Sequence, residues 1–582
     1  MARLLIALTL ILLVSPKVIF AENIDWNKIE NSIQNKIKGQ PVLSKNWMVS
    51  AANPYAVKAG AEILSRGGSA ADAMVAIQSV LGLVEPQSSG LGGGGFLLWF
   101  DSISKNITTL DGREMASRHV TADLFQDEDG NPIKFYDAVV GGRSVGTPGI
   151  PALMLRAHQL WGKLEWSKLF NGAIELAKSG FIVSPRLSML IEVEEKNLLK
   201  FNRTADYFFP EGKRITNGDK LKNYDYAQTL ISIAQDKTES FYKGEIAKDI
   251  VKTVQSSYIN PGTLDLIDLS NYLVKERPPV CIFYRNFNVC GMGPPSSGGI
   301  TVGQILGILE PYELSMMGPN SVESWRLIGD ASRLAFADRG RYIADSDYVK
   351  VPIKDLLDKN YLKNRSLLLQ REKALKKIIP GIPTFDTKPL LSDDDSLEVP
   401  STSHISIVDK YGNVLSMTTT IENTFGSKLM TKGGFLLNNE ITDFSFRSHI
   451  NGIPVANRIS PKKRPRSSMA PTIILKNGKP YLVVGSPGGS RIIGYVAKSI
   501  IAHIDWGMDI QQSLSMPHLI NRYGVYDLEK GTDAEAFERK LIAKGFNVRP
   551  RTLNSGLHAI RITESGLEGG ADPRREGIAL GN

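Results

Sequence analysis

The sequence predicts a mixed α+β fold in which packed sheets are covered by helices. Three observations carry that prediction. From about residue 150 to 370 the apolar residues recur mainly at helical spacing. Residues 402–582 are rich in short apolar strand patterns bounded by turn residues. Between them, residues 376–401 mix Pro380, Pro383, Pro389 and Pro400 with Asp393, Asp394 and Asp395, which reads as an exposed, flexible connector. The 582 residues are 42% hydrophobic, enough for a large core and too much for a disordered chain. Two cysteines are too few for a disulfide scaffold.

The chain opens with a positive Met1-Ala2-Arg3, an apolar run from Leu4 to Val14, and a short stretch ending at Ala21. That is the layout of a secretory signal, residues 1–21, and it predicts export to the periplasm or the medium. An apolar run of about eleven residues is too short to span a bilayer about 30 Å thick. Ile19 is bulkier than the residue favoured just before a cut, so a buried N-terminal helix and a retained anchor stay open as alternatives.

Helices follow at Pro54–Arg66, stopped by Gly67-Gly68, and at Ser69–Leu83, with Ser69 as N-cap. Phe96–Phe100 reads as a buried strand, and Ala331–Ile343 as a helix. In Val280–Cys290 a hairpin turning at Arg285-Asn286 pairs Tyr284 with Phe287 and sets Cys281 opposite Cys290. A non-hydrogen-bonded pair has Cα atoms about 4.5 Å apart, within disulfide range. Either a disulfide or two small buried apolar residues fits. His404–Asp409 and Val414–Ile421 form a strand pair around Lys410–Asn413. Thr472–Leu475 and Tyr481–Gly485 form another around Asn477-Gly478, and Tyr495–His503 is a helix.

The net charge is +9, with one local basic run at Lys462, Lys463, Arg464 and Arg466. No basic stripe with interleaved aromatics is present, so no nucleic-acid partner is expected. No zinc-binding H-E-x-x-H, phosphate loop or G-x-S-x-G elbow occurs. Gly90, Gly92 and Gly95 match G-x-G-x-x-G, but they open a strand rather than a helix, which argues against a dinucleotide site. No metal or organic cofactor is expected.

The connector ends at Pro400-Ser401-Thr402-Ser403-His404, where a Thr opens a buried strand. By itself such a Thr is a good β-former. Within about 90 residues follow Thr418–Gly426, Leu437–Phe444, Lys463–Met469 and Gly485–Arg491, which add acids, paired hydroxyls and a paired-glycine turn. These segments resemble those of γ-glutamyltranspeptidases, the glutathione hydrolases of the N-terminal-nucleophile superfamily. Upstream, Val84–Gly94, Asp111–Met115, Gly146–Gly149, Pro294–Gly299 and Ala335–Arg339 are also similar, as is Ala571–Arg575 near the C-terminus.

The resemblance implies a four-layer αββα fold and a precursor that cuts itself between Ser401 and Thr402. It implies a large subunit, 22–401, and a small one, 402–582, which stay together as a heterodimer. Thr402 would be the nucleophile and its freed α-amine, with a reference pKa of about 7.7 to 8.0, the base. By the same resemblance Thr420 orients the nucleophile, and Gly488 and Gly489 supply N–H groups to the oxyanion. Arg113, Ser467 and Ser468 hold the donor's α-carboxylate. Glu422, Glu440 and Asp443 hold its α-ammonium. Donors would be glutathione and other γ-glutamyl compounds; acceptors would be water, amino acids or peptides.

Two departures stand out. Glu422 occupies a position where some members carry Asn. The segment from Asp443 to Ser467 is short and has no aromatic in 447–460 to act as a gate, which predicts an open site suited to longer donors. The rival enzyme is a cephalosporin acylase acting on glutaryl groups, which would leave the three acids without a cation. The non-enzyme rival is a processed but inactive binding protein.

Overall fold

Side chains alternate across a strand, so a strand buried on both faces joins two cores. This happens in the strand that follows Thr402. The computed structural model describes residues 25–383, 390–394, 396 and 401–582. The signal segment 1–21 and the middle of the connector lie outside these.

Among the described residues, fourteen strands form two antiparallel seven-stranded sheets. In chain order they are β1 (Val42–Ser44), β2 (Met48–Ala51), β3 (Gly94–Phe100), β4 (Ile107–Gly112), β5 (Lys275–Arg277), β6 (Val280–Tyr284) and β7 (Phe287–Gly291). Then come β8 (Ser403–Val408), β9 (Val414–Thr420), β10 (Thr472–Lys476), β11 (Lys479–Gly485), β12 (His558–Thr563), β13 (Gly566–Ala571) and β14 (Ile578–Gly581). One sheet runs β14-β2-β8-β9-β3-β4-β5 and the other β1-β13-β12-β11-β10-β7-β6.

In the first sheet, Ile405, Ile407, Leu97 and Trp99 face a helical core that includes α1 (Pro54–Ser65) and α2 (Ala70–Val84). Phe96, Leu98, Phe100 and Val408 point the other way, into a core shared with the second sheet and with α3 (Gly298–Leu309), α4 (Val322–Tyr342) and α5 (Ile492–Ile504). The result is helix, sheet, sheet, helix, as expected. Local signals start the helices: Asn53 caps α1, and Ser69 with Asp72 forms a capping box on α2.

The division into a helical front and a stranded back is one of sequence only. Each sheet interleaves strands from both sides of residue 402: β8 and β9 lie between β2 and β3. The helix expected at Ala331–Ile343 starts nine residues earlier, at Val322, where Ser321 caps it. Cys281 pairs with Cys290 across β6 and β7, and a disulfide joins them.

Towards its far end the connector is anchored to the folded body, although Leu390 and Asp393 stay exposed. Asp394 is buried and receives a 2.9 Å bond from Arg466, Asp393 pairs with Arg341, and Ser392 N–H donates to the Pro454 carbonyl. Acidic residues that read as solvated find arginine partners on the folded body.

Candidate active site

Thr402 immediately precedes β8, and the β8–β9 register continues to place it opposite Thr420. Its hydroxyl donates to Thr420 Oγ1 at 3.1 Å, and Thr420 Oγ1 also accepts the Glu422 N–H at 2.9 Å. The main chain around the expected cut is tied down. Ser401 Oγ donates to the Gln87 carbonyl, and Arg575 Nη1 donates to the Thr402 carbonyl, at 2.8 and 2.9 Å. Thr402 has φ of +95°, a region that a β-branched residue enters only under strain of about 1–3 kcal/mol.

Arg113, Thr402, Thr420, Glu422, Glu440, Asp443, Ser467, Ser468 and Gly489 line one cavity together with Met469 and Ile492. Gly488 adjoins it in the turn that leads into α5. This turn needs glycine: Gly488 and Gly489 have φ of +137° and +58°, and a Cβ on Gly488 would lie 2.6 Å from the Tyr495 ring. The cavity is about 20 Å³, room for about one water. None of the residues of the short 444–466 segment lines this cavity. Part of that segment is anchored: Phe446 stacks on Phe125, and Lys463 Nζ donates to the Ala456 and Arg458 carbonyls.

The Arg113 guanidinium binds Glu440 Oε1 and, at 2.5 Å, Asp443 Oδ2; it also donates to the Pro465 and Arg466 carbonyls. Burial alone would lower its pKa, but Glu440, Asp443 and Glu114 outweigh that and hold it above its ordinary value. Burial pushes the Glu440 carboxyl well up; Arg113 opposes this and Glu114 and Glu422 add to it. The expectation that the acids lack a cation without substrate is corrected here, since Arg113 provides one. Acids still outnumber it.

Ser467 is pinned by strand-like bonds to Pro295 and Ser297, and Ser468 Oγ accepts from Arg339 at 2.8 Å. Asn438 and Asn439 hold the acid-bearing turn. Asn438 Oδ1 accepts the Glu440 N–H, and Asn439 Nδ2 donates to Glu422.

Sequence reasoning missed Glu114, Arg339 and Arg575. Each lies inside a family-like segment, but only adjacency to Arg113 could have pointed to Glu114. Glu114 and Glu440 are more than 300 residues apart in the chain, and Arg575 and Thr402 are 173 apart. Among the described residues, no group of three or more His, Cys, Asp or Glu is arranged to hold a metal, and no helix is long and apolar enough to cross a membrane.

Residues 56–582 match the family model described as Gamma-glutamyltranspeptidase. The glutathione hydrolase proenzyme of Bacillus subtilis (strain 168) is 37% identical over 553 residues, covering 93% of this chain and 92% of that protein. The acylase ACY 1 proenzyme of Pseudomonas sp. (strain V22) is 33% identical over 556 residues, covering 93% and 94%. The crystal structure of cephalosporin acylase from Bacillus halodurans superposes with a TM-score of 0.83, covering 93% of this chain and 97% of its own. At 24% identity that likeness speaks for the fold alone.

Proposed function

Because this chain belongs to the gamma-glutamyltranspeptidase family, we propose that it cuts itself between Ser401 and Thr402 and then transfers γ-glutamyl groups through Thr402. The observation that carries this reading is the Thr402 hydroxyl, bonded to Thr420 in the same cavity as Arg113 and three acids.

In the uncut chain Thr402 Oγ attacks the Ser401 carbonyl carbon. The peptide C–N bond breaks, an ester forms, and water hydrolyses it. Residues 402–582 are left with a free α-amine on Thr402. The strained φ and the bonds from Arg575 and Ser401 support a primed cut. The interleaved sheets support a heterodimer of 22–401 and 402–582, because β8 and β9 stay hydrogen-bonded between β2 and β3.

In the cut enzyme the α-amine takes the Thr402 hydroxyl proton as Oγ attacks the donor's γ-carbonyl. Negative charge on the carbonyl oxygen falls to the N–H groups of the Gly488-Gly489 turn. Collapse expels the leaving amine, Cys-Gly for glutathione, with the proton from the Thr402 ammonium. Water or an amine acceptor then takes the γ-glutamyl group by the same steps. Arg113, Ser467 and Ser468 suit the donor's α-carboxylate; Glu422, Glu440 and Asp443 suit its ammonium. Export is supported by the three-part N-terminal sequence and by the Cys281–Cys290 disulfide, a bond that persists in oxidising compartments.

Intact mass and N-terminal sequencing of wild type and Thr402→Ala test this reading. Wild type gives a small chain beginning Thr-Ser-His-Ile. The variant stays whole and loses about 10⁴-fold or more in activity, as expected for a missing nucleophile. A variant that is still cut, or still active, sinks it. The similarity to acylase ACY 1 keeps a glutaryl-acylase reading in play. The acid excess around Arg113 favours a donor that brings an ammonium, so γ-glutamyl anilide should be cleaved well ahead of glutaryl anilide.

A further inference from the structure

We propose that Glu114 and Glu440 share one proton, and that with a donor bound it resides on Glu114, which donates a hydrogen bond to Glu440 and aims its carboxylate at the donor's ammonium. The inference rests on the reading that the cavity takes γ-glutamyl donors. It gives Glu114 a positioning role.

Glu114 is fully buried, and neither of its oxygens accepts a hydrogen bond of normal geometry. Arg113 Nη1 lies 3.8 Å from Oε2, close enough for charge but too far for a bond. Four of the five guanidinium N–H groups are already spent on Glu440, Asp443, Pro465 and Arg466. The carboxyl cannot swing away, because strand β3 walls it in: a Cβ on Gly94 would sit 2.3 Å from Oε2.

What faces Glu114 is mostly acid. The Glu440 carboxyl lies within hydrogen-bonding reach, and Asp443 adds further negative charge. Tyr272 also faces it, with its hydroxyl donated to the Arg113 carbonyl, as does Glu114's own N–H. Glu422 adds negative charge on the far side of Glu440. Glu440 Oε1 is taken by Arg113, and the Glu440 carboxyl also has Asp443 within hydrogen-bonding reach. Two facing carboxylates repel, whereas one proton between them turns the contact into a charge-assisted hydrogen bond.

Burial raises both carboxyls, Glu114 to about 7 against the pull of Arg113 and Glu440 well up as well, so the pair holds at least one proton near neutrality. A donor ammonium beside Glu440 draws the negative charge there. A donor carboxylate on Arg113 weakens the cation next to Glu114. Both effects leave the proton on Glu114.

The sign follows. As pH rises through the pair's pKa the proton leaves, two carboxylates face each other, and kcat/KM falls. Glu114→Gln still donates and does not titrate, so it should keep kcat/KM at pH 6.5 while losing this alkaline limb. Glu114→Ala should fall about tenfold or more, the value of one hydrogen bond to a charged group. Infrared spectra of the unliganded enzyme at pH 6 should show a protonated-carboxyl band that Glu114→Gln removes. The proposal is overturned if Glu114→Gln is as impaired as Glu114→Ala, if the limb persists in Glu114→Gln, or if the band is absent from wild type. Should Glu114→Ala fail to fold or to be cut, Glu114→Gln and the infrared band decide alone. A wild type inactive on γ-glutamyl anilide at every pH overturns the functional reading instead, and leaves the infrared result standing.

Discussion

Arg113 and Arg575 both touch the surroundings of Thr402, and both are buried, yet they are used in opposite ways. The Arg113 fork ends on two carboxylates, Glu440 and Asp443, which hold its pKa above the ordinary value despite burial. The Arg575 fork ends on neutral acceptors: the Thr402 carbonyl and the carbonyl and side chain of Asn554. Burial, with Arg186 nearby, lowers its pKa to about 9, and Glu85 and Asp572 only partly offset this. A guanidinium paired with carboxylates can trade one of them for a substrate carboxylate. One whose hydrogen bonds all go to neutral acceptors is a strut. The same side chain is a receptor in one cluster and scaffolding in the other, and its partners decide which.

The sharpest test of the contrast is Arg113→Met. It strands buried acids without their cation, and losing one partner of such a pair costs about 3–5 kcal/mol. On cut enzyme we expect kcat/KM for a γ-glutamyl anilide to fall about 10²- to 10³-fold. A loss under tenfold would break the receptor side of the comparison. Arg575→Met should have a smaller effect of a different kind. It frees the Thr402 carbonyl, a loss of about 1–3 kcal/mol, and should slow self-cleavage and lower kcat with KM nearly unchanged. A rise in KM with normal kcat would mean that Arg575 binds the donor. The smallest expected effect on activity lies far from both arginines. Cys281→Ser with Cys290→Ser should cost at most about 2–3 kcal/mol in denaturant unfolding, since the bond closes a short loop that the hairpin already holds. Its kcat/KM should not move. A change in activity there would show that the variants report general destabilisation.

Much of the candidate site was legible because several short segments resemble, together and in order, those of a known family. Gly488-Gly489 reads as a turn because both residues need positive φ. Thr402 by itself reads only as a β-former at a strand start and gains its catalytic reading from the resemblance of the segments around it, whereas the 281–290 register follows from counting outward from a two-residue turn. Glu114 was not legible as a participant. Its role depends on Glu440, more than 300 residues away, and on a strand that walls it in. The docking of Asp394 on Arg466 was hidden for the same reason: an acidic, Pro-rich stretch carries no mark of the arginine that will bury it.

By itself the sequence determined the kinds of elements, the caps and turns that bound them, and which residue types could do acyl-transfer chemistry. These depend on neighbours within a few positions, where backbone geometry and hydrogen bonding act directly. Only the tertiary structure decided that β8 and β9 run between strands from the other side of residue 402. It also decided that Arg113 meets two acids as well as carbonyls while Arg575 meets only neutral acceptors, and that the cavity beside Thr402 gathers Arg113 with three acids. Those outcomes depend on burial and charge. Both are set by which distant segments share the low-dielectric interior, and no local pattern encodes that.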